Sequence, residues 1–162
     1  MAIELPVPLP LFNDSDFEAH IHDPVTGQPV TVIRREDAWF VHATWFLQGP
    51  LVDSISGTWH LAVGLESIGT GPELTSPAVA VAYTSGTRTG APGSPGRRIS
   101  YSANVNFTPL APNTDPAPAE SVPYKGAAVL TFRDPTGTPG PFAAVYELPM
   151  LQIFDSPVLP NN

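Results

Sequence analysis

Four histidines and a scatter of carboxylates are the side chains of this 162-residue chain whose types and spacing come closest to chemistry. His20 and His22 lie two apart, so on a strand they point to the same side and could share a metal ion. His42 and His60 fall in two later strand-like runs that read as a hairpin, where they would be neighbours. Convergence of His20, His22, His42 and His60 would make a metal site. The structural alternative is four ordinary half-exposed sheet residues. Nothing else supplies the fixed spacing of a metal motif, so no metal and no other cofactor is assigned, and the four histidines stand only as candidates.

The carboxylates are less organised. Asp14, Asp16 and Glu18 alternate and would share one face of a strand, while Glu36-Asp37 reads as a turn. Glu66 and Glu147 sit in apolar strands, where burial would perturb an acid most. Glycoside hydrolysis needs two carboxylates across a cleft, and the sequence places no two of these so. No Gly-x-Ser-x-Gly elbow and no cysteine is present, which removes the usual nucleophiles, disulfides and cysteine-bound zinc. The glycine-rich run 84–98 ends in Arg97-Arg98 but has no Gly-Lys-Ser and no following helix, so it reads as a mobile surface loop rather than a phosphate cradle. No catalytic residue is assigned, and the chain is expected not to be an enzyme.

Charge narrows the partners. The net charge is −8, with Lys125 as the single lysine. Phosphate backbones require clustered Lys and Arg, so nucleic acid is excluded as a partner, as is an anionic membrane surface. Charged residues make up 14% of the chain, against roughly 25% in soluble proteins. A surface this poor in charge is neutral and polar, or is partly covered by something else. No apolar run reaches the ~18 residues of a membrane-spanning helix. The N-terminus lacks the charged and apolar regions of a secretory signal, so the expected location is the cytoplasm, or an assembly released without a signal peptide.

The elements that would hold these residues are strands. The central stretch 39–68 is the clearest. Trp39, Val41, Ala43, Trp45 and Leu47 share one face of a first strand, and Trp59, Leu61, Val63 and Leu65 share one face of a second. Joined as a hairpin through 48–54, these strands would set Trp45 against Gly57, Trp59 against Ala43, and His42 against His60 on the reverse face. That reverse face also carries Phe40, Phe46, Ala62 and Gly64, more apolar than a solvated sheet face should be, so an arm or a partner is expected to cover it. Further strands are expected at 17–23, 30–35, 79–84, 99–107, 124–133 and 143–154, the last bent at Pro149. No helical period is sustained.

Proline, at 21 residues, is more than double the usual share. Leu5-Pro6-Val7-Pro8-Leu9-Pro10-Leu11 would be held extended near polyproline II and cannot sit inside a sheet. Leu5, Val7, Leu9 and Leu11 then either fold back on their own domain or reach a neighbouring subunit. The chain divides into an extended arm (1–16), a β-sandwich (17–154) and a C-terminal tail (155–162).

Seven to eight short strands separated by turn signals predict an all-β chain, a single antiparallel sandwich with a proline-rich arm and a short tail. With its Trp-bearing strands at Trp45 and Trp59 and a Tyr124 strand near the C-terminal end, the chain resembles the immunoglobulin-like and fibronectin type III-like sandwiches. The resemblance lies at fold level and covers roughly 17–154. The function expected is that of a structural or assembly subunit, docking onto copies of itself or a larger protein assembly through its arms and the outer face bearing Phe40, His42, Phe46 and His60. The competing expectation is a carbohydrate- or other ligand-binding module, weakened because Trp39, Trp45 and Trp59 all fall on the face assigned to the core.

Overall fold

Alternation of large apolar and small polar side chains decides which segments become strands and which way each faces. The computed structural model describes residues 3, 12–69, 71–111 and 121–155. It is all-β: β1 (Asp14–His22), β2 (Val32–Arg34), β3 (Trp39–Gln48), β4 (Thr58–Ser67), β5 (Leu74–Thr75), β6 (Val79–Ala82), β7 (Thr87–Thr89), β8 (Arg98–Phe107), β9 (Ser121–Arg133), β10 (Pro139–Glu147) and β11 (Leu151–Phe154), with two short 3-10 turns.

Two sheets form. One has four strands in the order β1-β3-β8-β7. The other has seven, in the order β2-β11-β9-β4-β5, with β10 also on β9 and β6 also on β4. Their inner faces enclose the core, and the rungs of the four-stranded sheet show how it fills. Phe17, Trp45 and Tyr101 stand side by side, Ala19, Ala43 and Ala103 form the next rung, and Ile21, Val41 and Val105 the one after. A rung of alanines beside a rung of aromatics lets large rings from the facing sheet enter without a clash. Trp59, Leu61, Leu65, Leu130, Tyr83 and Tyr124 are among the side chains fully enclosed. Each large apolar side chain so buried favours folding by about 1.5–3 kcal/mol.

The expected hairpin is not present. β3 pairs with β1 and β8, whereas β4 pairs with β9, β5 and β6. The segment between them carries the chain from one sheet to the other through a 3-10 turn whose Val52 is buried. Trp45 and Trp59 therefore meet across the core instead of each facing a small residue on an adjacent strand. The assignment of faces is correct for both strands; only their pairing differs.

Three further differences have local causes. The last strand splits into β10 and β11 around Pro149, because the buried positions change phase there, from Phe142, Ala144 and Leu148 to Leu151 and Ile153. Proline donates no amide hydrogen bond and tolerates such a break. The run 84–98 is structured: it contains β7, and Asp53 accepts hydrogen bonds from Arg97 Nε at 2.7 Å and Arg88 Nε at 3.2 Å. β1 begins at Asp14, so the sheet takes up the last residues of the segment read as an arm, and Ile3 and Phe12 are already buried. Leu5, Val7, Leu9, Leu11 and the tail beyond residue 155 lie outside the described residues.

Candidate functional site

The outer face of the four-stranded sheet gathers three of the four candidate histidines. His20 lies directly opposite His42, which in turn faces Asn104, and His22 lies opposite Phe40. The His22 and His42 rings meet edge to face with centroids 5.8 Å apart, and His22 stacks on Phe40 at 5.4 Å. His22 Nδ1 lies 3.0 Å from the Gly27 carbonyl oxygen, within the Asp23–Gly27 turn, and His42 Nδ1 lies 2.7 Å from Asn104 Oδ1. His20 meets the Tyr146 ring at 6.0 Å and the Glu18 carboxylate at 3.9 Å.

His60 stands elsewhere. It lies on β4 between Ala80 and Thr131, on the outer face of the other sheet. The four histidines thus do not converge, and His42 does not pair with His60, because their strands belong to opposite sheets. Among the described residues no group of three or more His, Asp or Glu side chains is placed to hold a metal ion.

The apolar reverse face divides in the same way. Phe40 and Phe46 lie on the four-stranded sheet, and both are covered from within the chain: Phe40 by His22, and Phe46 by the Arg98 guanidinium, 3.8 Å above its ring. Arg98 also donates to Gln48 Oε1 at 3.0 Å. The remainder of that face is polar, with Thr44, Ser100, Ser102 and Asn106 beside them.

The barer apolar face belongs to the seven-stranded sheet. Ala62, Val129 and Val145 form one rung across β4, β9 and β10, and Gly64 and Ala127 lie in the next across β4 and β9. Val129 is 37% and Val145 45% exposed. Sequence reasoning placed Ala62 and Gly64 outward but missed Val129 and Val145. The signal was available: Gly126-Ala127-Ala128-Val129-Leu130 and Phe142-Ala143-Ala144-Val145-Tyr146 are apolar in both phases of the alternation, the pattern of strands covered on both faces.

At one end of this face lies a shallow groove of about 480 Å³, floored by Gly64, Gly126 and Ala127 and rimmed by Glu66, Glu73, Lys125 and Glu147. Lys125 reaches Glu147 at 3.3 Å, with both side chains well exposed. Glu66 is exposed as well, so neither acid expected inside an apolar strand is buried. Asp14, Asp16 and Glu18 do share one outer face, but on the opposite sheet from Glu66 and Glu147. All three tryptophans are enclosed, Trp39 at 3%, Trp45 at 2% and Trp59 at 0% exposure.

No family model matches this chain, so an immunoglobulin-like or fibronectin type III-like assignment has no family match behind it. No curated protein matches it either. Among solved structures, a β-glucosidase from Listeria innocua in complex with isofagomine aligns with 90% of the chain at 11% identity and a TM-score of 0.39, the chain spanning 17% of that enzyme's length. AggA, the major subunit of aggregative adherence fimbriae type I from Escherichia coli, aligns over 90% of this chain and 97% of its own, at 11% identity and a TM-score of 0.35. A Niemann-Pick type C2 protein from the Japanese carpenter ant aligns over 88% and 90%, at 14% identity and a TM-score of 0.29. Likenesses at TM-scores this low carry no argument about this chain. What stands is a class, an all-β protein of two packed sheets, in which no helix among the described residues is long and apolar enough to cross a membrane.

Proposed function

We propose that this chain is a non-enzymatic structural subunit that docks onto neighbouring protein subunits, copies of itself first, through its proline-rich arm and an apolar outer sheet face. The observation that carries the reading is the Ala62–Val129–Val145 rung on the outer face of the seven-stranded sheet, in which Val129 and Val145 are exposed and Ala62 is half-buried. Outer sheet faces in water alternate to polar residues, and a contiguous apolar surface on a soluble domain marks a contact site. β10 adds to this, since among the described residues it pairs only with β9 and leaves a strand edge beside the same face. The face assigned to docking is thus the one bearing His60, with Val129 and Val145 at its centre, while Phe40, His42 and Phe46 serve the opposite sheet.

The second reading, a ligand-binding module, draws on the groove rimmed by Glu66, Glu73, Lys125 and Glu147. An aromatic sugar platform has no support, because every tryptophan is buried. Size-exclusion chromatography with light scattering separates the readings. The full chain is expected to associate as its concentration rises. Leu5→Ser/Val7→Ser/Leu9→Ser/Leu11→Ser and Val129→Lys/Val145→Glu are each expected to weaken that association. A wild-type chain that stays monomeric at every concentration, and matches both variants, counts against docking between copies.

A further inference from the structure

The outer face of the seven-stranded sheet changes character about its middle rung. On β9, Arg133 lies as far to one side of Val129 as Lys125 lies to the other, and the facing positions on β4 are Thr58, Ala62 and Glu66. At about 3.3 Å per residue each end is about 13 Å from the middle. The ends differ in charge. Arg133 is exposed at one, and Glu66, Glu73 and Glu147 are exposed with Lys125 at the other. Lys125 is engaged by Glu147 at 3.3 Å, so that end keeps a negative excess. Arg133 donates to the Gly137 carbonyl oxygen at 3.2 Å, a contact that uses only part of its fork of donors. The carboxylate of Asp134 beside it is held by Thr136 and Thr138 within the turn. The ends differ in size as well. The rung next to the middle carries His60 and Thr131 toward the basic end, but Gly64 and Ala127 toward the acidic end, where the 480 Å³ groove lies. Half of the face is raised and half is hollow.

We infer that a second copy of this chain packs on this face about a two-fold axis along the Ala62–Val129–Val145 rung. The inference rests on the docking reading and gives it a geometry. Such an axis lays each strand over its own counterpart, running the other way. His60 of one copy then lies over Gly64 of the other, and Thr131 over Ala127, so the raised half enters the hollow half. Arg133 of one copy reaches the acidic end of the other. Stacked sheets cross at about 30°, which displaces each end sideways by about one strand spacing. Both strands flanking β9 there carry an acid, Glu66 on β4 and Glu147 on β10. A two-fold axis along the strands does the reverse: it sets the basic ends together, the acidic ends together and hollow over hollow. Like charges brought together in that way exclude an arrangement. The face measures roughly 19 Å by 30 Å, so two copies bury on the order of 1,000 Å². That is the low end for a specific interface, and the dimer is weak and concentration-dependent.

The test measures the dimer dissociation constant of the full chain by sedimentation equilibrium at low salt. Arg133→Glu and Glu66→Arg/Glu147→Arg, all at exposed positions, are each expected to weaken dimerisation about tenfold, because each reverses both symmetric contacts. An equimolar mixture of the two variants is expected to recover the wild-type affinity as a heterodimer. A chain carrying all three substitutions is expected to recover it as a homodimer. Should a charge variant fold poorly, single-cysteine chains answer, since the chain has no cysteine of its own. Thr131→Cys mixed with Ala127→Cys is expected to cross-link through a short bis-maleimide faster than Thr131→Cys alone. Three results overturn the two-fold geometry: no recovery on mixing, tighter pairing of Arg133→Glu with wild type than of wild type with itself, or faster cross-linking of Thr131→Cys to itself. Each leaves the docking reading standing if Val129→Lys/Val145→Glu still weakens association. A wild-type chain that stays monomeric at every concentration removes both.

Discussion

Trp45 and Trp59, one from each sheet, meet edge to face across the interior, with ring centroids 6.2 Å apart and planes inclined at 74°. Trp59 is the hub of the aromatic core. It also contacts Tyr83, Tyr101, Phe132 and Phe142, with centroids between 5.0 and 6.4 Å. Because it joins the sheets, truncation removes contacts on both. Trp59→Ala is expected to lower unfolding free energy by about 3–5 kcal/mol, read from urea denaturation. Trp59→Phe, which keeps a ring in place, is expected to cost less.

Tyr83 and Tyr101 tie this core to the crossover between the sheets. Tyr83 donates to the Val52 carbonyl oxygen at 2.8 Å, and Tyr101 donates to the Tyr83 carbonyl oxygen at 2.9 Å. Burial pushes both phenols up, Tyr101 to about 12 and Tyr83 further, with the neighbouring Tyr101 adding to the rise at Tyr83. The folded chain thus holds two protons that the unfolded chain releases above the ordinary tyrosine value of about 10. Stability is present below that value and lost as pH rises through the raised ones. Melting temperature is expected to fall steeply above about pH 10 in the wild type and less steeply in Tyr83→Phe/Tyr101→Phe.

Asp53 clips the 87–97 loop to the crossover. Hydrogen bonding from Arg97 holds its carboxyl below the usual aspartate range, with Arg88 adding to the effect against a smaller cost of desolvation. Its contribution is present above the ordinary aspartate value of about 3.9 and lost as pH falls through the lowered one. Asp53→Asn is expected to speed amide hydrogen exchange across 87–97 at neutral pH. The difference from wild type should shrink on acidification.

Gly57 and Gly126 mark close backbone approaches. At Gly57, with φ of +150°, an added Cβ would meet the Arg133 carbonyl oxygen and the Phe132 ring. At Gly126 it would meet the Gly64 carbonyl oxygen on β4 and Leu65. Gly57→Ala is expected to destabilise by about 1–3 kcal/mol through backbone strain. Gly126→Ala is expected to loosen the β4–β9 pairing, read as faster amide exchange at Leu65, its partner on β4.

The faces of the strands were legible in the sequence because alternation is local: Trp39 through Leu47 and Trp59 through Leu65 point inward as read. Their pairing was not legible, because an apolar face suits a strand lying beside its neighbour as well as one facing it across a core. The buried Val52 in the connector, which carries the chain between sheets, gives no signal that separates it from a hairpin loop residue. The histidines failed for the same reason: His20 and His22 were placed together by spacing alone, but joining His42 to His60 required the pairing. The apolar outer face of the seven-stranded sheet was half legible, since Ala62 and Gly64 were read outward, while Val129 and Val145 sit in runs apolar in both phases.

The central claim is that the Val129–Val145 face is covered when copies of the chain associate. The chain has no cysteine, so Val129→Cys carries a single thiol for a polarity-sensitive fluorophore, and Val25→Cys, at a position 89% exposed, serves as the control. The emission of the label at 129, followed as unlabelled wild-type chain is added, tests the claim most directly. A blue shift that grows with concentration at 129 and is absent at 25 is the predicted result; emission at 129 that stays unchanged while light scattering reports association would contradict it.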